Sequence, residues 1–162
     1  MHKLQIAKTT SGPLKAIFLG AHSDDIEIGC GGTILRLIQE NPEIDVTWVV
    51  FSALGERGIE AKKSAEEFLH NVNHKQIMVY EFQDGYFPYK GAEIKDIFEN
   101  LKGNLAPDLI FTHYRNDLHQ DHLVPLVADM FQARQDRIQV LEHVAQQEDD
   151  RAAVDALGHV VK

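Results

Sequence analysis

Short apolar runs rich in β-branched and aromatic residues recur along this chain, and each is followed by a longer segment with helical spacing. The runs predict four strands, at residues 16–21, 46–51, 76–82 and 109–113. The segments between them predict helices at residues 33–39, 58–72 and 93–101. Strands and helices that alternate at this interval form a parallel sheet with helices on both faces. The sequence therefore predicts an α/β protein with a Rossmann-like, mostly parallel sheet.

The length and charge of the chain restrict the kind of protein it can be. With 162 residues, 44% of them hydrophobic, it can bury one substantial core, so we expect a single domain over residues 1–162. The formal net charge is −9 and the basic residues are not clustered, which argues against nucleic acid and anionic membranes as partners. The single cysteine excludes an internal disulfide. No signal peptide or membrane-spanning run is evident, so we expect a cytoplasmic protein.

Residues of the types that bind metals follow two of the predicted strands. His22, Asp24 and Asp25 come directly after the first strand, while His119 and His122 follow the fourth. Because sites in open parallel sheets lie at the carboxyl ends of the strands, we expect the two clusters to share one pocket. A zinc hydrolase usually takes three protein ligands and leaves a fourth position for water. Either pair, His22 with Asp25 or His119 with His122, has a spacing that would hold one ion, and Asp24 would then take a proton from water.

Between the clusters, the stretch Gly29-Cys30-Gly31-Gly32 is predicted to be a turn that packs closely against the ligand turn. A phosphate cradle is the alternative, but the spacing is not Gly-x-Gly-x-x-Gly and the Walker lysine is missing. Cys30 as a nucleophile would need a paired base, and none is evident. The stretch therefore favours close packing around a buried thiol.

These residues carry a resemblance to a known family. The segment Ala21-His22-Ser23-Asp24-Asp25 with the glycine stretch, followed by His119-Gln120-Asp121-His122, is similar to the two signatures of the PIG-L or LmbE-like family of zinc-dependent N-acetylglucosaminyl de-N-acetylases. Arg57 and Glu60 resemble the family's Arg-x-x-Glu, and Pro107-Asp108-Leu109-Ile110 resembles its lead into the strand before the second signature. The resemblance covers residues 15–125.

The resemblance implies a cofactor and an activity. One Zn²⁺ per chain would assist removal of the acetyl group from a small-molecule N-acetyl amino sugar conjugate. His22, Asp25 and His122 would be the zinc ligands and Asp24 the general base. His119 would stabilise the oxyanion or protonate the leaving amine.

Four further residues are candidates for supporting roles. Asp121 would contact the zinc ligands without binding the ion itself. Arg57 would contact substrate or pair with Glu60 across a helical turn. His113 would orient a ligand, touch substrate or serve as a structural histidine. Asp84 would line the pocket, with an ordinary turn as the alternative.

The sequence departs from the family pattern at two places. Ser23 stands where proline is commonest, which relaxes the turn but removes no ligand. Residues 132–162 are charged and helix-prone, so we expect an atypical tail of helix or partly disordered chain that adds no strand to the sheet and no ligand to the zinc. A sheet without its usual closing segment would expose an edge, which a homo-oligomer would cover.

Three alternatives stay open at this point. The histidine–aspartate turn could be a helix cap, in which Asp24 or Asp25 accepts hydrogen bonds from free backbone N–H groups. The chain could be a non-catalytic relative that binds a sugar or a partner and keeps a vestigial metal site. A nucleotide-binding domain is the third alternative, and the glycine spacing argues against it.

Overall fold

Five parallel strands form the sheet in a computed structural model, which describes residues 12–114, 117–123 and 139–143. The strands are β1 (Lys15–His22), β2 (Asp45–Ser52), β3 (His74–Val79), β4 (Leu109–His113) and β5 (Gln139–His143). The helices are α1 (Asp25–Glu40), α2 (Glu56–Phe68) and α3 (Gly91–Asn104), with short 3₁₀ turns at Phe87–Tyr89 and Gln120–Leu123. The predicted parallel α/β fold is confirmed.

The strand order β3-β2-β1-β4-β5 places β1 beside β4, although they are distant in the sequence. Their register pairs Phe18 with Phe111. From β1 the chain builds outward through β2 and β3, then returns to the other side of β1 with β4. The order therefore reverses between β1 and β4, and ligands of open α/β sheets bind at such a switch point, outside the carboxyl ends of the strands.

The side chains of β1 alternate between two cores on opposite faces of the sheet. Phe18 belongs to the core under α1 and α2, while Ile17 and Leu19 belong to the core under α3. Nearly every position of β2 is buried, so this strand is covered on both faces, and β1 lies at the centre of the sheet. Each fully buried large apolar side chain contributes about 1.5–3 kcal/mol. Within the described part of the chain, no helix has the length and apolar character needed to cross a membrane.

The glycine stretch lies inside a helix, so its prediction as a turn was wrong. Helix α1 begins at Asp25 and runs through all four residues. A Cβ on Gly31 would lie 3.1 Å from the ring of Phe68, so this glycine allows α1 to pack closely on α2. The close approach at the ligand turn occurs instead at Gly20, where a Cβ would lie 2.9 Å from the side chain of Ile26.

The tail contains strand β5, so the prediction that it adds no strand to the sheet was wrong. β5 pairs in parallel with β4, from Leu109 opposite Gln139 to His113 opposite His143. Leu141 is half-buried and packs against the core under α1 and α2. The local sequence shows no clean strand pattern, and pairing with β4 outweighs it because strand preference depends strongly on tertiary context. The rest of the predicted helical tail lies outside the described residues.

Candidate metal centre at the carboxyl edge of the sheet

The turn between β1 and α1 holds His22 and Asp25 against each other. Asp25 Oδ2 accepts the backbone N–H of His22 at 2.6 Å and lies 3.4 Å from Nδ1 of the same residue. Asp24 occupies the N-cap position of α1, but its exposed side chain makes no capping hydrogen bond. The helix-cap alternative is therefore wrong for Asp24.

The 3₁₀ turn after β4 brings the second cluster to the same place. His122 Nε2 lies 3.8 Å from Asp25 Oδ1. The ring of His119 has its centroid 4.9 Å from that of His22 and 4.7 Å from that of His122. The two clusters therefore lie side by side at the switch point, although almost a hundred residues separate them.

Within the described residues, three groups of three side chains have their possible ligand atoms within 4.8 Å of one another. The groups are His22, His119 and His122; Asp25, His113 and His122; and His22, Asp84 and Asp121. The implied ligands His22, Asp25 and His122 do not form one of these groups, but each two of them share a group or a direct contact. His122 belongs to the first two groups and so connects them.

His113 is fully buried and is the poorest metal donor of its group. Its Nε2 accepts a hydrogen bond from the backbone N–H of Ala21 at 2.9 Å, which occupies the lone pair. The same nitrogen lies 3.2 Å from Asp25 Oδ2, but an Nε2 that accepts from Ala21 cannot also donate to Asp25. Burial lowers the pKa of His113, despite the opposing effect of the Asp25 carboxylate. A neutral ring in a supporting role fits these contacts.

Asp121 is fully buried and joins the second cluster to the loop after β3. Its carboxylate accepts the backbone N–H groups of Gly85 and Phe87, the latter at 3.1 Å. Gly85 has a φ of 78°, a conformation that favours glycine. Asp121 Oδ2 also lies 3.4 Å from Nε2 of His22. One carboxylate thus holds the loop and contacts a histidine of the site.

Negative charge is concentrated around His22. Asp84, which is 58% exposed, places Oδ1 3.1 Å from His22 Nε2, on the same side of the ring as Asp121. Burial alone would lower the pKa of His22, but Asp25, Asp84 and Asp121 together raise it to about 9. Burial alone would raise the pKa of Asp25, but hydrogen bonds from the ring and the backbone N–H of His22 hold it well below its ordinary value. The site therefore stabilises positive charge.

The contacts of two residues differ from the roles that the sequence predicted for them. Arg57 lies exposed in the first turn of α2, and no ion pair joins it to Glu60 in the part of the chain that the structure describes. Asp117 was given no role, yet its Oδ2 lies 2.9 Å from Nδ1 of His122 and its Oδ1 accepts the N–H of His119 at 3.0 Å. Its position two residues before the second signature was the available signal.

Fold and site together define a Rossmann-like α/β protein with histidines and carboxylates gathered at the switch point of its sheet. Comparison with protein families then gives a more specific answer. The chain belongs to the PIG-L family, described as GlcNAc-PI de-N-acetylase, whose model matches residues 17–128.

The chain is also similar to individual proteins and solved structures. The uncharacterized deacetylase YaiS of Escherichia coli K12 is 28% identical over 122 residues, which cover 72% of this chain and 66% of that protein. Among solved structures, N,N'-diacetylchitobiose deacetylase from Pyrococcus horikoshii matches with a TM-score of 0.58 and 23% identity, over 80% of this chain and 53% of that one. A 4-carboxy-2-hydroxymuconate hydratase from Pseudomonas putida matches with a TM-score of 0.50 and 18% identity, over 74% of this chain and 56% of that one.

At these levels of identity the two solved structures show a shared fold, and their activities differ. The chain spans about two thirds of the length of the E. coli relative and about half of the Pyrococcus enzyme. The shared fold therefore does not define the reaction of this chain.

Proposed function

We propose that this protein is a zinc-dependent hydrolase that removes the acetyl group from an N-acetylated amino sugar of the N-acetylglucosaminyl type. The observation that carries the proposal is the meeting of His22, Asp25 and His122, where Asp25 faces a nitrogen of each ring at 3.4 and 3.8 Å. Membership of a de-N-acetylase family supports the reaction class.

The donor set fits zinc. Two imidazoles and one carboxylate are ligands typical of catalytic zinc, which keeps a further position open. His22 and Asp25 lie at the junction of β1 and α1 and His122 lies in the 3₁₀ turn after β4, so the folded sheet is needed to assemble them. The raised pKa of His22 supports the fit, because the same carboxylates that hold a proton there would favour a bound cation. When bound, zinc would polarise the amide carbonyl and lower the pKa of a water molecule.

Adjacent carboxylates would divide the chemical work. Asp25 is occupied by the N–H and the ring of His22, while the exposed carboxylate of Asp24 caps no helix N–H and is left to accept the proton of the attacking water. The N–H of Asp121 donates to Nδ1 of His119 at 3.3 Å, which places the ring hydrogen of neutral His119 on Nε2. That exposed N–H would stabilise negative charge on the substrate oxygen or protonate the leaving amine.

Substrate contacts outside the metal centre would come from the neighbouring loops. Arg57 is exposed at the start of α2, which follows β2 at the carboxyl edge, so its guanidinium would contact the substrate beyond the acetyl group. Asp84 is more than half exposed beside His22 and would accept a hydrogen bond from a hydroxyl of the sugar. A non-catalytic sugar-binding relative is the second candidate, because the exposed Arg57 and Asp84 would contact a sugar whether or not a reaction follows.

The test is acetate release by protein of known metal content. The full chain would be stripped with a chelator, reloaded with one equivalent of Zn²⁺ and incubated with N-acetylglucosamine, N,N'-diacetylchitobiose and a glycoside of N-acetylglucosamine. Zinc-dependent acetate release that is lost in zinc-loaded Asp24→Asn supports the proposal. Stoichiometric zinc without acetate from any of these substrates would favour the non-catalytic candidate, and a failure to bind zinc would overturn the metal site.

A further inference from the structure

Each of the two histidines implied as ligands lies between Asp25 and a second carboxylate. His122 has Nε2 3.8 Å from Asp25 Oδ1, while its Nδ1 lies 2.9 Å from Asp117 Oδ2. His22 has Nδ1 3.4 Å from Asp25 Oδ2, while its Nε2 lies 3.4 Å from Asp121 Oδ2 and 3.1 Å from Asp84 Oδ1. In both rings, one nitrogen faces the centre of the site and the other faces outward to a carboxylate.

A neutral imidazole has one N–H and one lone pair, and a carboxylate only accepts hydrogen bonds. The outward carboxylate therefore favours the hydrogen on the outward nitrogen, which leaves the inward lone pair for an ion. Metal-bound histidines commonly donate their second N–H to a carboxylate in this way. The Nδ1 of His122 is buried without a hydrogen-bond partner within the described residues, while its 2.9 Å separation from Asp117 Oδ2 is short enough for a hydrogen bond.

Asp117 is held firmly enough to act in this way. Its own N–H donates to the carbonyl of Tyr114 at 3.0 Å, directly after β4. Its Oδ1 accepts the N–H of His119 at 3.0 Å, so one carboxylate contacts both the backbone of His119 and the ring of His122.

We propose that Asp117 is a positioning residue of the metal site, which holds the Nδ1 hydrogen of His122 and directs Nε2 of His122 at the ion. The buried Asp121, together with Asp84, does the same for the Nε2 hydrogen of His22, so that His22 binds through Nδ1. The inference rests on the zinc site of the proposed function. It adds which nitrogen of each histidine would bind the ion. It also adds a role for Asp117, which would act through His122 and not by contact with the ion.

The first test reads the tautomer of His122 directly. Long-range ¹H–¹⁵N spectra of the metal-free full chain, at a pH where this ring is neutral, should show the hydrogen on Nδ1. In Asp117→Ala the population should shift towards the Nε2–H form. A wild-type His122 that carries its hydrogen on Nε2 would overturn the proposal, whether or not the variant folds.

The second test measures zinc affinity by competition with a chelator. Removal of such a carboxylate typically weakens metal binding 10–100-fold, so we expect a loss of about that size in Asp117→Ala. Asp117→Asn keeps an acceptor oxygen without the charge and should lose less. Asp96→Ala, on the exposed side of α3, is the matched control and should bind zinc like the wild type. A folded Asp117→Ala with wild-type zinc affinity would exclude the positioning role, and if this variant does not fold, the Asp117→Asn affinity and the tautomer decide.

Neither measurement involves a substrate, so the two proposals fail separately. A protein that shows the expected tautomer and the affinity loss but releases no acetate would contradict the proposed reaction alone. Acetate release with wild-type zinc affinity in Asp117→Ala would contradict the positioning role alone.

Discussion

The backbone N–H of Ala21 donates a hydrogen bond to Nε2 of His113 at 2.9 Å. This bond joins the end of β1 to the end of β4 at the switch point, where the two clusters of the candidate site meet. The ring of His113 also stacks on that of His122, with centroids 3.9 Å apart and an interplanar angle of 15°. His113 thus supports a proposed ligand from the core, while its Nε2 lone pair is already used.

Replacing His113 by alanine should therefore affect stability more than metal content. The change leaves a cavity in the core and removes the partner of a buried backbone N–H, which together should lower the free energy of unfolding by about 2–5 kcal/mol. Urea unfolding measures the loss, and zinc analysis of the folded fraction measures the metal. A stable His113→Ala protein that no longer binds zinc would contradict this prediction.

The proposed ligands should behave in the opposite way. His22→Ala and His122→Ala each remove one of three ligands, so we expect zinc to fall well below one equivalent per chain and acetate release to be lost. His74→Ala, on the exposed part of edge strand β3, is the control and should change neither. Stoichiometric zinc in His122→Ala would remove that residue from the ligand set.

The strands and helices could be predicted where local sequence decides the structure. β2 is buried at almost every position because helices cover both faces of the sheet, and the sequence predicted its bounds nearly to the residue. The glycine stretch was misassigned because Gly31 serves a contact with Phe68, a residue on another helix. β5 was missed for a similar reason, since its pairing partner β4 lies far away in the sequence.

For the candidate site, the sequence indicated residue types and the edge of the sheet where they meet. It could not indicate distances between side chains. The role of Asp117 depends on the positions of its two carboxylate oxygens. Oδ2 lies 2.9 Å from the ring of His122, and Oδ1 accepts the N–H of His119. The assignment of Nε2 on His113 as an acceptor likewise needed the position of the Ala21 N–H.

Asp24 and Asp25 should give different phenotypes although they are neighbours. Asp24→Asn preserves shape but cannot accept a proton, so kcat should fall by about 10²-fold or more while zinc remains bound. Asp25→Asn removes a charged ligand that also holds the N–H of His22, so zinc itself should be lost. Steady-state acetate release and metal analysis on the same samples separate the two effects. A zinc-loaded Asp24→Asn enzyme with a normal rate would exclude Asp24 as the base.

Glu27 should oppose folding at neutral pH. Burial raises the pKa of this carboxyl on α1, despite a hydrogen bond from Ser64, and one of its oxygens has no hydrogen-bond partner within the described residues. Because the folded-state pKa lies above the unfolded one, stability is greatest below the unfolded pKa and falls as pH rises through the folded pKa. Glu27→Gln should therefore raise the free energy of unfolding at pH 7, by up to about 1 kcal/mol, and have a smaller effect at pH 4.

Urea unfolding of wild type and Glu27→Gln at both pH values measures this difference. Glu60→Gln, exposed on α2, is the control for adding an amide to a helix surface. An equal effect of Glu27→Gln at pH 4 and pH 7 would show that ionisation of Glu27 is not the cause.

Cys30 should be inert in the folded protein and dispensable for any reaction. Its side chain is 5% exposed and its Sγ donates to the carbonyl of Ile26 at 3.3 Å. Burial raises the pKa of the thiol from 9.0 to about 12, so the thiolate fraction at pH 8 should be about a thousandfold lower than in the unfolded chain. A thiol-reactive disulfide reagent should therefore label one thiol per chain rapidly in urea and very slowly without it. Cys30→Ala should keep zinc and acetate release. Fast labelling of the folded chain, together with loss of activity in Cys30→Ala, would instead identify the cysteine as a nucleophile.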